Sequence, residues 1–281
     1  MPAFKADGTR LGNLTNAANG KRIARGWRNV AGVHADNLLI YSAAGTPYFV
    51  VGNRLYRMDL GNPSSPTWDQ MPGILPNVIN QHIQSSFIIG GSVYVTIAEF
   101  TRPPKLYRLD ISDNSFIATE ISGGPNVGSF EGGAELNGEA YTQDNGSLQR
   151  MTVGVDSWSF LRLTIISGGS IGANVATNAL FTINGRMFTT RQPLSTSSRR
   201  FLSFREFVLN GDNYARPSRN SITLDNNRGL ISAGMVYDDV AYLFEASGGR
   251  ELYQATLSGD ALSLNRIASN LPGDVQTAFV V

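Results

Sequence analysis

One short strand-like unit recurs along this chain, and repetition at a near-constant spacing constrains the fold more than any single residue does. The unit opens on a basic or polar residue followed by Leu: Arg54-Leu55-Tyr56-Arg57-Met58-Asp59-Leu60, Lys105-Leu106-Tyr107-Arg108-Leu109-Asp110-Ile111, Ser147-Leu148-Gln149-Arg150-Met151-Thr152-Val153 and Arg250-Glu251-Leu252-Tyr253-Gln254-Ala255-Thr256-Leu257. A looser copy stands at Arg200-Phe201-Leu202. Before each lies a second, aromatic-centred strand, around Tyr48, Tyr94, Tyr141, Phe188 and Tyr242, so that the unit returns every ~47 residues. A unit of that size cannot bury its apolar face alone and must pack against its neighbours.

The two chain ends supply a further copy. Ala3-Phe4-Lys5-Ala6-Asp7-Gly8-Thr9-Arg10-Leu11 matches Leu243-Phe244-Glu245-Ala246-Ser247-Gly248-Gly249-Arg250-Glu251-Leu252, and Asp274-Val275-Gln276-Thr277-Ala278-Phe279-Val280-Val281 reads as an innermost strand with nothing after it. The expectation is an all-β chain: one six-bladed β-propeller of four-stranded blades over residues 1–281, its closing blade shared by residues 1–31 and 274–281. Such closure hides two sheet edges that invite aggregation.

Turn signals agree. The first hairpin of each copy turns at Gly90-Gly91, Asn137-Gly138, Asn184-Gly185 or Asp238-Asp239, pairs that tolerate positive φ. Outer strands follow at Thr67-Trp68-Asp69-Gln70-Met71, Ser115-Phe116-Ile117-Ala118-Thr119, Ser157-Trp158-Ser159-Phe160-Leu161 and Arg25-Gly26-Trp27-Arg28-Asn29, and helical periodicity is absent. With Gly91-Ser92-Val93-Tyr94, Leu106-Tyr107-Arg108-Leu109-Asp110 and Asp156-Ser157-Trp158, the repeats resemble those of kelch-like propellers. The family's double Gly follows its second strand, whereas Gly90-Gly91 precedes it here. The resemblance implies a fold and leaves function open.

Composition removes several classes. The 281 residues suit a single closed all-β domain, and the absence of Cys removes disulfides and thiolate metal sites. Met1-Pro2-Ala3-Phe4-Lys5 opens no apolar run, and no stretch is long enough to span a bilayer, so the chain is expected to be the whole mature protein, without signal peptide or membrane span. With 23 basic against 22 acidic residues, there is no global attraction to nucleic acid or anionic lipid.

Catalytic signatures are few. The two His, His34 and His82, form no ligand set, and the reading is no metal and no cofactor. Glycoside hydrolysis needs only two carboxylates, for which Glu131, Glu135, Asp36 and Asp274 are candidates near inner-strand starts. A carbohydrate-binding propeller is the other alternative, but Trp27, Trp68 and Trp158 fall at equivalent outer-strand places, which favours packing.

Two patterns point to recognition. Basic residues precede the third strands at Arg10, Arg54, Lys105, Arg200 and Arg250, and long loops on the same face add Arg102, Arg191 and Arg199. Together they make a polarised face expected to receive a protein partner with an acidic surface. Asn77, Asn126, Asn174 and Asp274 recur where inner strands start, as polar residues of the channel mouth or as turn caps. The resulting expectation is a non-catalytic docking module, an accessory subunit of a larger assembly such as a phage tail or capsid. Its place is the virion on that reading and the cytoplasm otherwise.

Overall fold

The computed structural model describes the strands Ala3–Phe4 and Arg10–Leu11 and then residues 45–76, 82–99, 102–112, 115–126, 128–144, 146–168, 175–176, 179–194, 201–224, 230–246 and 250–281. It divides into two compact units, Met1–Gly45 and Thr46–Val281. In the first, Ala3–Phe4 pairs antiparallel with Arg10–Leu11.

The second unit is a β-propeller of five blades. Blade 1 runs from the centre outward as Val275–Val280, Pro47–Val51, Arg54–Asp59 and Thr67–Gln70; blade 2 as His82–Ile89, Ser92–Glu99, Arg102–Ser112 and Ser115–Ile121. Blade 3 is Glu131–Leu136, Glu139–Asp144, Ser147–Val153 and Trp158–Arg162, and blade 5 is Leu230–Tyr237, Val240–Ala246, Leu252–Ser258 and Ala261–Ala268. Blade 4 is irregular. Its inner strands are Leu180–Ile183 and Arg186–Pro193, its third is Phe201–Asn210, and its outer edge is split between Asn213–Ala215 and Ser218–Thr223. Thr164–Ser167 adds to that edge in parallel.

Turn chemistry sets the registers. Asn137 and Gly138 have φ of 56° and 81°, the left-handed geometry of a two-residue hairpin that Asn and Gly reach with little strain. Alternation then puts apolar side chains on both faces of each blade, because both faces are covered by neighbours. Five core clusters result, each built mainly from two adjacent blades: Tyr107 with Phe279, Phe87 with Trp158, Leu148 with Phe207, Phe204 with Tyr253, and Phe49 with Phe244. A fully buried side chain of this size contributes about 1.5–3 kcal/mol.

Every interface around the axis also carries a polar latch, buried at three of the five and half-buried at the other two. Ser86 and Thr277 hydroxyls lie 2.6 Å apart between blades 2 and 1, and Gln84 Oε1 accepts the Phe130 N–H at 3.0 Å between blades 2 and 3. Thr189 donates to Gln143 Oε1 at 2.9 Å across blades 4 and 3, and Gln192 Oε1 accepts the Ile231 N–H at 2.6 Å across blades 4 and 5. Ser232 donates to the Val275 carbonyl at 2.5 Å and completes the circuit between blades 5 and 1. Bulges at Gln84, Gly132, Ser232 and Gln276 interrupt the inner strands at corresponding places, and a bulge re-aims the side chain it carries. Two of those residues, Gln84 and Ser232, are latches.

The sixth blade is a correction. Val275–Val280 pairs with Pro47–Val51, with Ala278 opposite Phe49 and Phe279 opposite Tyr48, and among the described residues it pairs with neither Ala3–Phe4 nor Arg10–Leu11. The C-terminal strand therefore supplies the inner position of the first copy, and five inner strands fill the circle. Its apolar face explains the choice: Val275, Ala278 and Phe279 are buried in clusters shared with blades 2 and 5.

Inner strands approach so closely that one position admits only glycine. A Cβ on Gly133 would stand 1.6 Å from the Ser86 carbonyl oxygen, a backbone atom of the neighbouring blade. Gly133→Ala should therefore cost about 1–3 kcal/mol by forcing two inner strands apart. Chemical denaturation measures it, and a midpoint unchanged from the parent would show that the strands can separate freely.

Candidate functional site

Inner strands all point the same way along the axis, because their starts line one cavity and their ends another. The end-side cavity has a volume of about 390 Å³ and includes Ile88, Glu135, Thr182, Val236 and Val280 in its wall. Partial burial raises the Glu135 carboxyl above its usual range. The start-side cavity is smaller, about 260 Å³, and is lined by Gln84, Glu131, Ser232, Asp274 and Gln276 among others.

The candidate carboxylates therefore divide between two mouths. Glu131 and Asp274 share the start-side cavity, and Asp274 is held by Arg250 at 3.4 Å. Glu135 lines the other cavity. Asp36 lies outside the described residues. Among the described residues, no group of three or more His, Asp or Glu is gathered as a metal site. His82 starts the inner strand of blade 2, and His34 is outside the described residues.

Antiparallel order within a blade puts the start of the third strand and the end of the second on the start-side face. Arg54, Lys105 and Arg250 stand at third-strand starts on that face, with Arg191 near the end of its second strand. Their surroundings differ. Arg54 Nη1 donates to the Gly73 carbonyl at 3.1 Å, and Lys105 Nζ lies 3.0 Å from Glu120, which raises its pKa. Arg250 is exposed, with φ of 49°. Arg191 sits opposite Ser203, and its Nε is buried with no hydrogen-bond partner. Arg102 lies at the start of a strand of blade 2, Arg10 belongs to the N-terminal unit, and Arg199 and Arg200 lie outside the described residues. Of the polar residues near inner-strand starts, Asn126 is exposed, Asp274 lines the start-side cavity, and Asn77 and Asn174 are outside the described residues.

Trp68 and Trp158 pack against neighbouring rings. Trp158 is 4% exposed and meets Phe130 edge-on at 5.5 Å; Trp68 meets Phe49 edge-on at 6.3 Å. Trp27 is outside the described residues.

Blade 4 holds charged residues that no repeat announced. On its blade 5 side, Arg186 and Arg219 converge on Glu206 and Asp260. On its blade 3 side lie Arg205, whose Nη1 donates to the Gly168 carbonyl at 2.7 Å, and Arg216, which donates to the Gly146 carbonyl. The sequence signal was the pair Arg205-Glu206 inside an otherwise apolar strand, where adjacent charges must face opposite sides.

No protein-family model matches this chain, and no curated protein matches it. The propeller arrangement thus stands on strand pairing alone. Among the described residues no helix is long and apolar enough to cross a membrane.

Proposed function

We propose that this chain is a non-catalytic, kelch-like docking propeller, an accessory subunit of a larger assembly such as a phage tail or capsid, whose start-side face receives an acidic protein surface. One observation carries the reading: Arg54, Lys105, Arg191 and Arg250 come from four different blades yet stand on one face of a single latched ring. Charges fixed on a rigid scaffold raise the local potential without paying an ordering cost on binding. The exposed partners Glu120 and Asp274 compensate Lys105 and Arg250 only weakly, because solvent-exposed ion pairs contribute little and are exchangeable.

Charge reversal tests it. Arg54→Glu, Lys105→Glu and Arg250→Glu together should leave the melting curve near that of the parent. Incorporation into the native assembly, or retention of the partner in pull-down at defined salt, should fall by roughly tenfold or more, with a flatter salt dependence. Unchanged retention and salt dependence would reduce this face to a solvated rim.

A further inference from the structure

We propose that the end-side cavity on the propeller axis binds a small organic cation, a compact apolar body bearing one ammonium group, with Glu135 as its anionic partner.

Strand register makes the wall of this cavity a ring. Val280, Ile88, Glu135, Thr182 and Val236, in the order of blades 1 to 5, each follow the inner-strand residue that stands opposite Tyr48, Tyr94, Tyr141, Phe188 or Tyr242. They therefore occupy one corresponding position of the five strands, and all five line the cavity. Blades 5, 1 and 2 give a continuous apolar arc, and the two polar residues fall side by side on blades 3 and 4. Two residues earlier on their strands, and so one layer deeper, four blades carry Ser86, Ala278, Gly133 and Gly234, which also line the cavity. Small side chains at that level leave the space a ligand fills.

The acid in this ring has no partner. Among the described residues neither the Glu135 carboxylate nor the Thr182 hydroxyl makes an ion pair or hydrogen bond, and burial alone raises the Glu135 carboxyl. The cavity wall carries no Lys or Arg. The hairpins framing the mouth turn at Gly90-Gly91, Asn137-Gly138, Asn184-Gly185 and Asp238-Asp239, which add two carboxylates and no cation. Arg186, at the start of the second strand of blade 4, is committed to Glu206 and Asp260.

A lone carboxylate against apolar walls gains most from a charge-assisted hydrogen bond, and an ammonium brings three donors. Thr182 beside it accepts a second of them, while Ile88, Val236 and Val280 cover hydrocarbon. One carboxylate and one hydroxyl fall short of the about six oxygen ligands that a hard metal ion takes. Because the apolar arc stands level with Glu135 across the ring, the hydrocarbon lies beside the ammonium. That suits a compact free amine; a lysine of another protein would trail its stem out along the axis. The volume of about 390 Å³ falls in the range of small-molecule sites.

The site goes beyond the docking reading and lies at the opposite mouth, so the charge reversal described above alters none of its residues. The full chain is titrated calorimetrically at neutral pH with cyclohexylamine, which is protonated there as a lysine is, and with cyclohexanol and cyclohexanecarboxylate, of similar shape but neutral and anionic. Cyclohexylamine should saturate with Kd on the order of 1 mM or tighter, cyclohexanol should bind roughly tenfold or more weakly, and the carboxylate should not bind. Nα-acetyl-lysine methylamide should bind more weakly than cyclohexylamine. Glu135→Gln should weaken the amine roughly tenfold or more and close its gap to the alcohol, Thr182→Val should weaken the amine, and Asp69→Asn on the outer strand of blade 1 should change neither ligand. Cyclohexylamine should also raise the melting temperature of the parent more than that of Glu135→Gln. Should Glu135→Gln fail to fold, the methyl resonances of Ile88, Val236 and Val280 in the parent chain must shift with the amine and stay still with the carboxylate. No saturable amine binding, equal affinity for amine and alcohol, an unaffected Glu135→Gln chain, unmoved methyl resonances, or tighter binding of the lysine derivative overturns the assignment.

Discussion

Deleting residues 275–281 should abolish the cooperative fold of the propeller. That segment is the inner strand of blade 1, and its loss strips Pro47–Val51 of its ladder from Val280 opposite Pro47 to Val275 opposite Val51. Val275, Ala278 and Phe279 are each under 5% exposed, and removing the Val and Phe side chains alone forfeits about 3–6 kcal/mol. Two of the five polar latches go with them, Thr277 to Ser86 and the Val275 carbonyl to Ser232; the buried Ser86 hydroxyl is left to find a new partner, while Ser232 keeps the Phe244 carbonyl at 3.3 Å. Against a net stability of about 5–15 kcal/mol for a typical domain, the sum is enough to unfold the ring. The bared edge of Pro47–Val51 should also drive association. Circular dichroism melting and light scattering check this; a monomeric truncated chain that melts within a couple of degrees of the parent contradicts the closure.

The repeating strands were legible because their signals are local. Arg54–Asp59, Ser147–Val153 and Leu252–Ser258 lie where the recurring Leu places them, and the turns at Gly90-Gly91, Asn184-Gly185 and Asp238-Asp239 adopt the positive φ their residues suggest. Blade number was not legible, because the partner of a terminal strand is a long-range choice. Similarity between residues 3–11 and 243–252 speaks to strand character and says nothing of which edge Val275–Val280 will close. The latches were hidden for a related reason: Gln143 at the end of Ala140-Tyr141-Thr142 looks like ordinary alternation until its neighbour across the blade is known. Arg191 was found through its long adjoining loop. Arg205 and Arg216 were missed because neither sits at a repeated position, and each reaches a distant backbone carbonyl that only the fold brings near.

Glu206→Ala should be the most damaging single substitution on the surface between blades 4 and 5. The carboxylate is 8% exposed and takes the Arg186 Nε and Nη2 at 2.8 and 2.6 Å and the Arg219 Nε at 2.7 Å. Arg186 also donates to the Gly259 carbonyl at 2.9 Å and lies over the Phe188 ring, so the network fastens the outer half of blade 4 to the last hairpin of blade 5. Removing the acid strands two guanidinium groups with only the exposed Asp260 for compensation, at a cost of about 3–5 kcal/mol. The pH dependence gives the sign. Hydrogen bonds from Arg186, and then from Arg219, hold the Glu206 carboxyl below its usual range, so its contribution is complete above the unfolded value near 4.3 and fades as pH falls through the folded one. The parent should therefore lose stability on acidification below about pH 4, and Glu206→Gln, which keeps the shape and drops the charge, should lose less over the same window. Urea unfolding at pH 7 and pH 3 measures both. A Glu206→Ala chain within about 1 kcal/mol of the parent at pH 7, or a Gln variant with the same acid sensitivity as the parent, would mean that the two blades are held by their apolar cluster and that the four charges merely decorate its rim.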